Sequence, residues 1–350
     1  MIKKILLFVL LIIITSAVFL YYKLNSNMDM PPYTCLFVLD EHKSSDEHKI
    51  LYLALLKYFP NINKLNVLFI NDNITIVQKK IKSRTLNDSY YLQKENKIEF
   101  IKGEIGKIFK DSLIIDKYIS LNVADFNNFI NMFNENLSLD EYKNNLFDNE
   151  DYLIKMIYNI KFIKNIINKM NVRTFLKIIK FLENSGDIVK TDIHSIDVNP
   201  LKIYFALKRI KDICFIDIPT IEKRKRIEIN EDFISGTQEM FLNENIFSQK
   251  DEEIRLKVLN ASKKPRMAIK AVDKLRNNSF DVFEWGSCDK YYDYTVIINL
   301  TDNMSVSQKI SDVLKCGEII YRFDNKPFED IIVILGEDCN IYDKIDRIKQ

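Results

Sequence analysis

The stretch VLDEHKSSDEHKILYLALL, Val38 to Leu56, holds the same four residues twice, Asp40-Glu41-His42-Lys43 and Asp46-Glu47-His48-Lys49. Its reading decides the N-terminal half of the chain. Just upstream, YTCLFVL (33–39) is short, apolar and β-rich, and reads as a buried strand. Downstream, Ile50, Leu51, Leu53, Ala54 and Leu55 recur at helix-like spacing and Pro60 closes the run, so a helix is expected over 47–59. DEHKSSDEHK then becomes a loop between a strand and a helix, with Asp46 near the helix N-terminus. Two of the chain's three histidines lie there beside four carboxylates. Three readings compete: a hydrated loop, a divalent-metal site and a residual phosphate site. The hydrated loop is favoured. A metal would use Asp40 and Asp46, and nitrogen from His42 and His48 would select a transition metal over magnesium.

Outward from this stretch, strands and helices alternate. LNVLFI (65–70), YISLNVA (118–124) and ICFIDIP (213–219) read as strands, and 98–109, 125–133, 150–170 and 172–184 as helices. The alternation predicts an α/β layered domain over 33–236. A polar, acidic linker is expected at 237–252. The unit 253–340 then reads β-α-β-β-α-β-β, a small α+β domain expected to fold alone.

A chain of 350 residues, 47% hydrophobic, suits about two domains. The net charge of +2 gives no argument for nucleic acid. The basic run Lys223-Arg224-Lys225-Arg226 reads as a solvated turn. Residues 5–22, ILLFVLLIIITSAVFLYY, carry no charge over eighteen positions. About 20 apolar residues span a bilayer. The run ends in aromatics, as an uncleaved anchor does, and Lys3-Lys4 favour an inside N-terminus. The body is therefore expected outside the cytoplasmic membrane of a bacterium, with a single pass. Five cysteines, at 35, 214, 288, 316 and 339, form no Cys-x-x-Cys pair, and buried free thiols are the default. The lone His194 lies in a turn-like segment. Packing outweighs ligand stacking for Trp285, and Tyr291, Tyr292 and Tyr294 suit either a binding surface or strand packing.

The C-terminal unit resembles the LytR C-terminal domain through VLNAS (258–262), AIKAVDKLRNNSFDV (268–282), YDYTVIIN (292–299) and VILGED (333–338). It departs where ASKKPR (261–266) replaces the usual glycine-containing loop. This points to the LytR–CpsA–Psr (LCP) family for the domain before it. Asp40 falls at the family's Gly-x-Asp aspartate, and Asp46 at that of Arg-Ser/Thr-Asp. NKLNVLFINDN (63–73) is similar to the strand leading into Ile-Pro-Arg-Asp, and residues 100–133 to the helix–strand–helix run that follows. The resemblance implies an extracytoplasmic domain that moves glycopolymers from a polyprenyl-pyrophosphate carrier to peptidoglycan, with arginines on the pyrophosphate and aspartates on magnesium.

The arginines, however, are missing. Arg84 is the single arginine of the first 172 residues. Asp72 stands at the arginine of Ile-Pro-Arg-Asp, Ser44 at that of Arg-Ser-Asp, and Ile154 and Ile157 at the two of Asp-x-x-Arg-x-x-Arg-Gln, here begun by Asp151. Lysine binds phosphate as a point charge but lacks the bidentate fork. The sequence therefore favours a non-catalytic scaffold or interaction protein in cell-wall assembly. It has no nameable catalytic residue, and no cofactor beyond that candidate divalent ion. Its partners would be the membrane, through the N-terminal helix, and peptidoglycan or envelope proteins. The alternative is a diverged glycopolymer transferase using a metal at Asp40 and Asp46, with Lys49, Lys79, Lys80 and Lys82 on phosphate.

Overall fold

The structure is a computed structural model that describes residues 33–44, 47–76, 84–93, 96–122, 151–169, 171–184, 190–191, 208–223, 226–244, 254–301, 303–324 and 328–341. The strands expected from the sequence form. They are β1 (Tyr33–Ser44), β3 (Lys64–Phe69), β6 (Lys117–Asn122) and β8 (Asp212–Asp217), followed in the C-terminal unit by β11 (Arg255–Asn260), β12 (Asp281–Ser287), β13 (Val296–Asn299), β14 (Glu318–Tyr321) and β15 (Ile331–Leu335). Short pairs add β4 (Thr75–Ile76) with β5 (Arg84–Thr85), and β9 (Thr220–Lys223) with β10 (Arg226–Ile229). β7 (Lys190–Thr191) pairs with β6. The two ends of the basic run, Lys223 and Arg226, pair across antiparallel β9 and β10.

The helices are α1 (Leu86–Tyr91), α2 (Lys97–Ile108), α3 (Tyr152–Lys169), α4 (Val172–Asn184), α5 (Ile234–Leu242), α6 (Met267–Arg276) and α7 (Met304–Leu314). Among the described residues none is long and apolar enough to cross a membrane. The anchor expected at 5–22, the helix at 125–133, His194, Lys79, Lys80 and Lys82 lie outside the described residues.

One expectation fails. Residues 47–59 form a strand, β2 (Glu47–Phe59), antiparallel to both β1 and β3. Leu53 and Leu55 enter one core and Ala54 the opposite one. A strand buried on both faces shows no alternation, and Leu and Ala give it a helical appearance; tertiary context overrides that preference. Asp40–Ser44 and Glu47–Lys49 are therefore paired strand ends of a β-hairpin rather than parts of a strand-to-helix loop.

The strands form one sheet of eleven, ordered β12-β11-β15-β13-β14-β8-β3-β2-β1-β6-β7. It runs unbroken from the N-terminal unit into the C-terminal one, because β14 pairs in parallel with β8 through Ile320–Phe215 and Tyr321–Ile216. Helix α3 covers one face across this seam. Met156, Ile157 and Ile160 share a core with Phe215 and with Val296, Ile298, Ile320 and Ile334. On the other face, α1, α2 and α5 pack over the N-terminal strands, and α6 and α7 over the C-terminal ones. Helix α5 buries Met240 and Phe241, and Asn66 Nδ2 donates to both of their carbonyls. Residues 237–242 of the expected linker are thus a packed helix.

Candidate functional site

β1, β3, β6, β8, β13 and β14 all run in one direction, as their parallel pairings and the intervening antiparallel β2 require. Ligands of open α/β sheets bind at the carboxyl ends of the strands. Here that edge carries Asp40 on β1, Asp72 just after β3, Asp217 at the end of β8 and Arg322 just after β14. All three carboxylates are buried, at 6%, 6% and 1% exposure. Beyond the edge β1 and β2 pair only with each other, since the β6 ladder stops at Asp40–Asn122 and the β3 ladder at Ala54–Phe69. The hairpin tip thus projects past the sheet.

Each described contact at this edge is specific. Tyr90 Oη, from α1, donates to Asp40 Oδ2 at 2.9 Å. Burial, and then the Asp40 charge, pushes the Tyr90 hydroxyl well above its ordinary range, so it stays a donor. Tyr152 Oη, at the start of α3, donates to Asp217 Oδ1 at 2.8 Å, and Arg322 Nε donates to Asp217 Oδ2 at 2.6 Å. Burial followed by the Asp217 charge likewise raises Tyr152. Tyr52, Asp72, Tyr152, Lys155 and Asn159 line a space of about 20 Å³ beside this network, which admits nothing larger than about one water molecule. The Tyr52 hydroxyl is buried there without a hydrogen-bond partner.

Asp40 is the one sequence-proposed ligand whose side chain is described, and it is a buried, tyrosine-held carboxylate rather than part of a solvated loop. Its ladder position explains this: it still pairs with Asn122 of β6, beneath α1. Asp46 lies outside the described residues. His42 and His48 face each other as paired backbones across the hairpin, as do Glu41 and Lys49; their side chains lie outside the described set. Magnesium would need several converging oxygens. Among the described residues no three His, Cys, Asp or Glu side chains converge, and of the four proposed ligands only the side chain of Asp40 is among them.

The positions of the missing clamps are equally clear. Ile157 is buried, and Ile154 packs against the same apolar core beneath α3. Between them Lys155 lines the small space with Asp72. Trp285 departs from its expected packing role: it is 45% exposed on edge strand β12, with the Arg276 guanidinium 4.8 Å from its ring. The tyrosine cluster divides. Tyr292 is buried and Tyr294 packs edge-on to Tyr158 of α3, while Tyr291 stays exposed under Lys263. Sequence reasoning missed Arg322 and Asp217, which sit 105 residues apart. Their signal was the end of an apolar strand in each case, legible only once the strand order is known.

The family model described as LytR cell envelope-related transcriptional attenuator matches residues 253–338. This quarter of the molecule is a LytR C-terminal domain. The matching motifs organise its loops. In VLNAS, Asn260 Oδ1 accepts from the Ser262 amide at 3.0 Å, and Asn260 Nδ2 donates to the Lys264 carbonyl. In VILGED, Asp338 Oδ1 accepts from both the amide and the hydroxyl of Thr295. Gly336 meets the chain so closely that a Cβ there would lie 2.4 Å from the Tyr294 carbonyl carbon. A disulfide joins Cys316 to Cys339, so two of the cysteines expected to be free are paired.

Similar solved structures include TagV of B. subtilis (14% identity, covering 61% of this chain and 97% of that one, TM-score 0.45) and a putative transcription regulator of Eubacterium siraeum (12%, 62% and 95%, 0.47). Lin1025 of Listeria innocua is a third (13%, 60% and 96%, 0.43). Among curated proteins none matches the chain in sequence.

The LytR C-terminal domain is tied to α3 by polar contacts around the shared core. Tyr158 Oη donates to Asp293 Oδ2 at 2.8 Å, Lys290 pairs with Asp151 at 2.6 Å, and Lys161 and Lys164 both hold Glu318.

Proposed function

We propose that the protein is a membrane-anchored, extracytoplasmic envelope protein whose LCP-like unit binds or scaffolds rather than transfers. One observation carries the reading. Among the described residues, the ends of β1, β3 and β8 bring the carboxylates Asp40, Asp72 and Asp217 to the carboxyl edge, and Arg322, just after β14, is bonded to Asp217. A pyrophosphate needs cationic forks. A carboxylate about 5 Å from it opposes binding by about 3 kcal/mol per charge pair at an effective dielectric near 20. Phosphoryl transfer depends on positioning and charge neutralisation, so both binding and rate suffer. The Cys316–Cys339 disulfide supports a location outside the cytoplasm, as do Lys3-Lys4 before the apolar run.

The transferase alternative draws on Asp40, which sits at the carboxyl edge, buried and oriented by Tyr90. A purified-protein assay with a polyprenyl-pyrophosphate analogue, with and without Mg²⁺, separates the two. We expect no turnover. Turnover that disappears in Asp40→Ala would restore the transferase and reject the scaffold.

A further inference from the structure

The chain enters the sheet at Tyr33, the first residue of β1, and therefore at the amino edge, opposite the carboxylates. β3, β6 and β8 start at the same edge. Asp116, just before β6, accepts from the Thr34 amide at 2.7 Å, and the amide of Lys211, just before β8, donates to the Asn63 carbonyl at 2.9 Å. Helix α3 ends here as well, since Lys208 Nζ donates to the Ile167 and Asn168 carbonyls. Helix α4 sets out from this edge, with Asn171 Oδ1 accepting from the Thr174 amide in its first turn.

The outer side of α4 is not simply polar. Thr174 and Phe175 are buried, whereas Val172 is 39% and Leu176 47% exposed. Arg173, Lys177 and Lys180 are exposed beside them. These five share one side of the helix, because residues three and four apart lie one above the other. Among the described residues no salt bridge joins Arg173, Lys177 or Lys180 to a carboxylate. Exposed Lys208 and Lys211 carry the positive charge onto the strand edge, where Asp116 and Asp212 are the exposed acids beside them. A basic helix that also exposes apolar side chains has the pattern of an interfacial helix.

Tether and charge together name what lies against it. Residues 23–32 join the apolar run to Tyr33, and a linker of that length spans at most about 35 Å. On the reading proposed above, that residues 5–22 are the anchor, the body is held close to a bilayer by its amino edge. The carboxyl edge brings Asp40, Asp72 and Asp217, and the amino edge brings α4 and its lysines. An anionic surface attracts the second and repels the first.

We propose that α4 and the amino edge dock on an anionic phospholipid surface, that of the bilayer holding the anchor. Arg173, Lys177 and Lys180 lie among the headgroup phosphates, and Val172 and Leu176 enter the boundary with the acyl chains. The contact fixes the orientation of the body and leaves the carboxyl edge facing away from the lipid.

The test is quenching by brominated lipid of the full chain carrying Leu176→Trp, reconstituted in vesicles of phosphatidylglycerol with phosphatidylcholine, or of phosphatidylcholine alone. The parent chain, whose single tryptophan is Trp285, gives the baseline. Quenching above that baseline is expected to be about threefold or more stronger in the anionic vesicles. It is expected to return to the baseline when Arg173→Gln, Lys177→Gln and Lys180→Gln are added together. Alkaline carbonate that strips the chain from the vesicles would reject the anchor, and the docking with it. A chain that carbonate leaves in the vesicles, with the variant's emission at the parent's baseline, would overturn the docking and leave the anchor standing. Equal quenching in neutral vesicles, or quenching insensitive to the triple change, would overturn it too and point to a covering that does not read lipid charge.

Discussion

Arg322 and Asp217 come from different units of the chain and meet at the end of β8, where the guanidinium and the Tyr152 hydroxyl together occupy both oxygens of a carboxylate that is 1% exposed. Removing one partner of a buried pair leaves an uncompensated charge, at a cost of about 3–5 kcal/mol. Arg322→Leu is expected to lower stability by about 3 kcal/mol in urea unfolding. Asp217→Asn in the Arg322→Leu background is expected to recover part of that loss. Simple additivity of the two changes would show that the pair does not couple the units.

The continuous sheet changes the expectation for the LytR C-terminal domain by itself. Val296, Ile298 and Ile320 are buried on a face shared with α3 and Phe215. Cut free at residue 253, the fragment exposes that face, and is expected to bind 8-anilinonaphthalene sulfonate and to melt below the full chain. A fragment with the full chain's melting temperature and no dye binding would show that the seam contributes little.

Asp40 is a further point where burial replaces a solvated-loop expectation. With its Oδ2 held by Tyr90 beneath α1, Asp40→Ala takes the carboxylate acceptor away from a buried hydroxyl. The expected cost is about 1–3 kcal/mol, against near zero for a hydrated loop. Tyr90→Phe should be comparable, and the double variant less than additive.

Gly336→Ala forces a Cβ to within 2.4 Å of the Tyr294 carbonyl carbon and 2.8 Å of the Thr295 amide nitrogen. These are backbone atoms, so the loop must move. Overpacking of this kind costs about 1–3 kcal/mol. Gly103→Ala is the control, since nothing lies within 4 Å of its added Cβ. Equal melting temperatures for the two variants would contradict the close approach.

Acid should loosen the seam. Burial works to raise Glu318, but the charges of Lys164 and Lys161 outweigh it and hold the carboxyl below its ordinary 4.5. Asp151 is similarly lowered: burial opposes, and Lys290 together with the Ile154 and Leu153 amides prevails. A depressed folded value means stability that is complete above the ordinary value and lost as pH falls through the folded one. Melting temperature is therefore expected to drop between about pH 5 and pH 3, and Glu318→Gln should flatten that slope. An unchanged slope in Glu318→Gln would remove Glu318 from the account.

Reduction is the last test. The Cys316–Cys339 bond closes a loop across 23 positions, for which chain entropy gives about 3 kcal/mol. Cys316→Ser is expected to destabilise by roughly that amount, and dithiothreitol should leave the variant's melting temperature unmoved while lowering that of the parent chain.

The sequence by itself determined the elements whose local signals agree. Each strand and helix of the LytR C-terminal domain stands where alternation, turn residues and helical spacing put it, and the domain's motifs named it. The same holds for β1, β3, β6, β8, α2, α3 and α4. Tertiary structure alone decided the identity of Glu47–Phe59. Ile50 to Leu56 is apolar throughout, and a central strand covered on both faces carries no period to distinguish it from a buried helix. It also decided which residues meet. Asp40, Asp72, Asp217 and Arg322 share an edge because of strand order and direction, which depend on pairings between distant segments. A free-thiol expectation gave way for the same reason, since Cys316, just before β14, and Cys339, just after β15, pack on one core. Local chemistry sets periodicity and turns; non-local hydrogen bonding and burial set adjacency, and both candidate binding regions of this molecule are matters of adjacency.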